Sequence, residues 1–123
     1  MQIRFTANLM GNLASIEDFF DANQHPHGYE SLLDELEARV LPNLLRHPRM
    51  GRHFMARRPW SVEAQRLHEA IQARLAAGDQ VREYVLDSHL LLYRVNDHVI
   101  DLLAIRHHKQ LAFDMQDFLS GAD

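Results

Sequence analysis

Three apolar runs follow one another with almost nothing between them: Val81–Leu86, Leu90–Val95 and Val99–Ile105. Each is rich in Val, Leu, Ile or Tyr, and the breaks fall at Asp87-Ser88 and Asn96-Asp97. Runs this short, bounded by turn-forming residues, read as consecutive β-strands. Asn and Asp tolerate positive φ, so Asn96-Asp97 is expected to make a tight hairpin turn. In the last run Val99, Asp101, Leu103 and Ile105 alternate onto one face, and Ile100, Leu102, Ala104 and Arg106 onto the other. Neither face is polar throughout, so this strand is expected to be central and covered.

The rest of the chain supplies the cover. Leu9, Leu13, Ile16 and Phe20 recur at helical spacing and predict an amphipathic helix from about Ala7 to Ala22. Gln2–Phe5 before it reads as a short first strand, and Asn23–Gly28 after it as a turn. Tyr29, Leu32, Leu33, Leu36, Val40 and Leu44 define a second, longer helix. Pro42 lacks a backbone donor and should kink that helix near its end, with His47-Pro48 stopping it. From Arg49 to Trp60 the chain reads as a cationic loop. Ser61 is placed to cap a third helix that buries Leu67, Ile71 and Leu75 and ends at Gly78. Leu111, Met115, Phe118 and Leu119 give a brief tail helix. The expected fold is α+β: an antiparallel sheet of about four strands packed against an N-terminal helix hairpin. An extra inserted helix at about 61–77 and a short C-terminal helix complete one domain, 1–123.

Several classes are excluded on simple grounds. No apolar run approaches the roughly 20 residues of a membrane span. The first residues, MQIRFTANLMGNL, lack the pattern of a signal peptide. There is no cysteine, so disulfides, thiolate catalysis and Cys-based zinc sites are absent together. A cytoplasmic protein without a cofactor is expected. Thirteen basic residues against 17 acidic give a net charge of −4, which argues against a general nucleic-acid binder. The distribution is more telling: Arg39, Arg46, Arg49, Arg52, Arg57 and Arg58 fall between Glu37 and Glu63 with no acid among them. Like charge gathered this way is unfavourable, so the segment reads as a binder of phosphate or of an acidic protein, the acidic partner being favoured; the plainer reading is a solvated linker. Arg82, Tyr84 and Arg94 on the first two strands could extend the same surface.

For catalysis the richest cluster is Arg106-His107-His108-Lys109, at the exit of the last strand. Histidines exchange protons near neutral pH, and Arg and Lys hold phosphate oxygens, a combination suited to metal-independent cleavage of RNA. The plainer reading is a solvated strand end or a hydrogen-bonded packing histidine. His25-x-His27 and His107-His108 do not have the i, i+4 spacing of a familiar zinc site, so no metal is assigned. The tail helix is either a core cap or a removable lid.

In order, a strand, a helix hairpin and antiparallel strands resemble the RelE/ParE superfamily of toxins from bacterial type II toxin–antitoxin systems. The echoes are Pro48-Arg-Met-Gly51-Arg52 after the second helix, Tyr84-Val-Leu, then Leu92-Tyr93-Arg94-Val95, and Ile105-Arg-His107. The resemblance implies a toxin neutralised by an antitoxin whose segment folds on binding, with operator DNA contacted only through the antitoxin. RelE-like members cut mRNA on the ribosome; ParE-like members poison DNA gyrase. The nuclease branch uses a strongly basic site, often with a C-terminal Tyr. Here no tyrosine follows Tyr93 and there is a single lysine, which favours the ParE-like branch. If the chain is a nuclease, His107, His108, Lys109, Arg106 and Arg82 are the implied catalytic groups. Target and antitoxin contacts fall on Arg49, Arg52, Arg57, Arg58, Tyr84, Arg94, Leu111, Phe113 and Met115.

Overall fold

A computed structural model describes residues 1–53, 69 and 72–107. The elements run β1 (Gln2–Phe5), α1 (Ala7–Ala22), α2 (Pro26–Glu35), a π-helical turn (Leu36–Val40), α3 (Leu41–Arg46), β2 (Arg52–His53), β3 (Gln80–Val85), β4 (His89–Val95) and β5 (Val99–His107). The helix expected at about 61–77 and the tail helix lie outside the described residues, apart from Glu69 and the helical Gln72–Arg74. Gly78, expected at a helix end, has φ +86, the left-handed geometry that glycine adopts without steric cost.

The five strands form one sheet in the order β1-β5-β4-β3-β2. The meander β3-β4-β5 is antiparallel, as expected, and β5 is internal. Two details differ from the sequence reading. β1 pairs parallel to β5, with Ile3 beside Ile100 and Arg4 beside Asp101. The connection a parallel pair requires is long here, running from α1 through β4 before the chain enters β5. Arg52–His53, read as loop, is a fifth strand against β3.

Alternation along β5 breaks once. Leu92 lies opposite Ala104 but Tyr93 lies opposite Leu102, so Leu103 is an extra, unpaired residue. Such a bulge exchanges the faces beyond it. Ile105 therefore joins Ile100 and Leu102 on the helix-covered face, where alternation alone puts it with Val99 and Asp101. Leu91, Tyr93 and Val95 face the same way from β4, and all six are buried. The hairpin turn at Asn96 also works differently. Among the described residues only Gln24 and Gly78 have positive φ. The Asn96 side-chain carbonyl instead accepts from the His98 and Val99 amides at 2.8 and 2.9 Å.

Helix α1 has the expected bounds, and Leu9, Leu13 and Ile16 are buried. Thr6 is its cap: the hydroxyl accepts from Leu9 N–H and donates to the Leu102 carbonyl at 2.7 Å, fixing the helix start to β5. Helix α2 starts earlier than read, with Pro26 in its first turn, where a missing N–H costs nothing. Its stripe Leu32, Leu36, Val40, Leu44 is buried throughout. Residues four apart drift by about 40° per step in an α-helix of 3.6 residues per turn. The wider π turn takes back part of that drift. Pro42 explains its position: without an N–H it cannot bond the Ala38 carbonyl, and Leu41 N–H reaches back five residues to Leu36.

Candidate functional site

Three of the four described arginines of the cationic segment are held by acids, most of them brought from far along the chain. The loop after α3 is pinned at Gly51, whose N–H donates to the Tyr93 hydroxyl at 3.0 Å and whose carbonyl accepts from Arg82 at 2.6 Å. A Cβ at Gly51 would lie 2.5 Å from the Glu83 carbonyl oxygen and 2.8 Å from the Tyr93 hydroxyl, so the approach is open only to glycine. Burial pushes the Tyr93 phenol above its ordinary pKa, opposed by the Gly51 contact, so it stays neutral. With Gly51 fixed, Arg49 reaches Asp97 in the β4–β5 turn at 2.9 Å, and Arg52 reaches the buried carboxylate of Glu83 at 3.1 Å. Arg39, at the other end of the sheet, pairs with Glu35 and Asp87. Of the four described arginines between Glu37 and Glu63, only Arg46 has no side-chain partner among the described residues. The accumulation of like charge seen in sequence is thus largely neutralised within the fold.

The remaining candidates divide between the sheet's two faces. Tyr84 is on the helix face, its hydroxyl accepting from Asn43 at 3.0 Å. Arg94 is on the opposite face, where it and Arg4 converge on Asp101. Arg4 holds that carboxylate through Nε at 2.6 Å and Nη2 at 3.0 Å. The Arg4 hydrogen bond leads in drawing the Asp101 pKa below the ordinary carboxylate value; burial opposes it and Arg94 assists. Asp79 is lowered too, chiefly by the Asn96 side-chain amide at 3.0 Å. Tyr84 and Arg94 therefore do not share one surface.

Arg106 and His107 lie within β5, not beyond its end, and point to opposite faces: Arg106 is paired with Leu90, His107 with His89. The two imidazoles stack edge to face, centroids 5.1 Å apart, with His89 buried. They border an open groove of about 390 Å³ between the α1–α2 junction and the β3–β4 turn, shared with His25, Ser31, Glu35 and Ser88. Glu35 is engaged there, accepting from the Asp87 amide at 3.0 Å. Arg82 is elsewhere. It stands opposite Tyr93, which stands opposite Leu102, five residues along β5 from His107. At about 3.3 Å per residue that is roughly 16 Å along the sheet, too far for Arg82 and His107 to hold one phosphate. His108, Lys109, Arg57, Arg58, Leu111, Phe113 and Met115 lie outside the described residues. Among the described residues no group of three or more His, Asp or Glu is arranged to hold a metal ion. None of their helices is long and apolar enough to cross a membrane.

Sequence reasoning assigned no role to Glu83, Asp101 and His89, and named Gly51 and Tyr93 only within the motifs of the resemblance, not as parts of the site. A signal existed for three of them: Glu83, His89 and Asp101 are polar residues within or beside strongly apolar runs, where a buried partner is the rule.

Comparison with known proteins agrees with this architecture. The chain resembles a solved "Chromosomal ParDE TA system from P. aeruginosa" with a TM-score of 0.55 and 19% identity, over 87% of this chain and 95% of that one. At that identity the likeness is one of fold. No curated protein matches the sequence. Residues 3–112 match the family model of the ParE toxin of type II toxin–antitoxin systems, parDE. The match spans the sheet, its helices and the pinned cationic loop, and this chain belongs to the ParE toxin family.

Proposed function

We propose that the protein inhibits DNA gyrase in the cytoplasm by binding it, and that a cognate antitoxin with an acidic, partly disordered segment neutralises it. The observation that carries this reading is the family match over residues 3–112. The geometry supports it by what it separates: Arg82 is bound into the Gly51 latch, remote from His107, and Arg106 faces away from the histidine pair. Inhibition by binding needs a shaped surface rather than an assembled acid and base. The pinned Arg49–Arg52 loop is such a surface, with Arg57, Arg58 and the segment bearing Leu111, Phe113 and Met115 as its proposed continuation. The net charge of −4 fits protein partners, with operator DNA reached through the antitoxin. The test is supercoiling by purified gyrase with added toxin. Loss of supercoiling at doses that arrest growth is expected; intact supercoiling beside blocked translation transfers the target to the ribosome.

One observation favours a second reading. The edge-to-face pair of His89 and His107, opening on a groove, suits a ribosome-dependent mRNA endonuclease using His107 and His108. Replacing both His107 and His108 with alanine should then abolish growth arrest and transcript cleavage together. A folded double variant that still arrests growth excludes the nuclease. Harmless overexpression of the unaltered chain marks a relative that retains only antitoxin binding.

A further inference from the structure

The segment from the end of α3 to β2 presents an unusual surface. Leu45 and Met50 are about half exposed, at 51% and 46%, although both are large and apolar. In the same segment Arg46, His47, Arg49 and His53 are exposed as well. Arg46 has no side-chain partner among the described residues, whereas Arg49 is already fixed by Asp97. The Gly51 latch to Tyr93 and Arg82 holds the backbone immediately after Met50, so this end of the surface is set before any partner arrives. β2 is bonded to β3 on one side and is the last strand of the sheet among the described residues.

We infer that Leu45–His53 is the docking surface for the acidic segment of the antitoxin, which lays carboxylates on Arg46 and Arg49 and an apolar side chain between Leu45 and Met50. This rests on the toxin–antitoxin reading above and assigns it a place. Charge complementarity selects the occupant: Arg46 has no acidic partner among the described residues, and Arg49 keeps unoccupied donors beside its bond to Asp97, so a carboxylate on this surface meets two cations. The two apolar residues select peptide over nucleic acid. A polyphosphate would satisfy the arginines and leave Leu45 and Met50 against water, whereas an acidic peptide with an interspersed Leu or Val covers both. Methionine suits this role because its flexible thioether adapts to a partner's shape.

The test uses the toxin and the product of its adjoining reading frame, co-expressed and purified as a complex, beside the toxin refolded alone. Hydroxyl-radical footprinting reads Met50 directly. Its oxidation should slow at least severalfold in the complex. Arg46→Glu should weaken binding about three- to tenfold, the range for reversing one exposed charge at an interface. It should lower the melting temperature of the free toxin only slightly, by the loss of a cation from the last turn of α3; Arg46→Lys should restore most of the affinity with that turn's charge intact. Met50 oxidised at the free rate within an intact complex overturns the inference and leaves the toxin–antitoxin reading standing. Protection of Met10 on α1 without Met50 does the same, as does protection of Met50 by RNA but not by the antitoxin. If no complex forms at all, the toxin–antitoxin reading fails first.

Discussion

Asp101 is the most sensitive point of the sheet. It sits in the internal strand β5, 3% exposed, and receives guanidinium groups from β1 and β4 on either side. Replacing it with asparagine preserves shape, removes the charge and turns an N–H₂ group towards donors. Arg4 is half exposed and can rehydrate, so the loss scales on the better-buried Arg94 contact and the carboxylate itself. A hydrogen bond to a charged group contributes about 1.5–3 kcal/mol, and Asp101→Asn should cost about that. Against a total of roughly 5–15 kcal/mol for a single domain, this is a large fraction. At about 4 °C per kcal/mol for a chain of this size, the melting temperature should fall by roughly 6–12 °C. The pH dependence follows from the lowered pKa. The carboxylate releases its proton more readily folded than unfolded, so its contribution is fully present above the unfolded value of about 3.9. It is lost as pH falls through the lower folded value. Thermal melts by circular dichroism at pH 7 and in steps to pH 2.5 should show the two proteins converging in acid. A variant melting within 2 °C of the parent at pH 7, or a gap that persists unchanged to pH 2.5, would refute this account of the cluster.

Other perturbations have separate readouts. Gly51→Ala forces the loop away from the Glu83 carbonyl and should destabilise by about 1–3 kcal/mol in urea titration, as crowding of a packed site does; an unchanged midpoint means the latch is not closed in solution. Tyr93→Phe keeps the ring and removes the acceptor for Gly51 N–H, costing about 1 kcal/mol by the same titration. Thr6→Ala removes the α1 cap and its tie to Leu102, with an expected loss of about 1 kcal/mol and faster amide exchange at Leu9. Asp79→Asn should show its full loss of stability above about pH 4 in the same thermal melts, the penalty fading only as pH falls through the lowered folded value of Asp79.

What could be read in the sequence was whatever depends on local periodicity. The bounds of α1 follow from Leu9, Leu13 and Ile16, and the meander follows from three runs too close together to pair in any other way. What could not be read depends on contacts distant in sequence. The parallel register of β1 is fixed by Arg4 meeting Asp101, 97 residues away. The bulge at Leu103 leaves no trace in composition, since Leu, Ala and Ile fit either face, yet it reverses the orientation of every β5 residue beyond it. The cationic cluster misled for the same reason: acids absent from Glu37–Glu63 arrive as Asp97 and Glu83. The candidate site was therefore legible as a segment, Arg49–Arg52, but not as a geometry. The latch that shapes it joins a glycine, a tyrosine and an arginine from three strands or loops.

Internal pairing also bears on the choice between an RNA target and a protein one. Each phosphate neutralised by a protein cation contributes about −0.7 to −0.9 to the slope of log affinity against log salt. An arginine already held by a carboxylate contributes less, because that pair must be broken or shared before a phosphate can be gripped. Arg39, Arg49, Arg52 and Arg94 are all held in this way, and Arg82 is bound to Gly51 and Gln80. Grip on ribosomal RNA through the described residues would rest largely on Arg46 and Arg74 and would be shallow. A protein partner has no such requirement: it can approach the unoccupied donors of Arg49 and Arg52 without displacing Asp97 or Glu83, since each guanidinium carries five N–H groups. Target binding should then depend on salt with a slope nearer −1 than −4, and a steep slope would restore the nuclease reading.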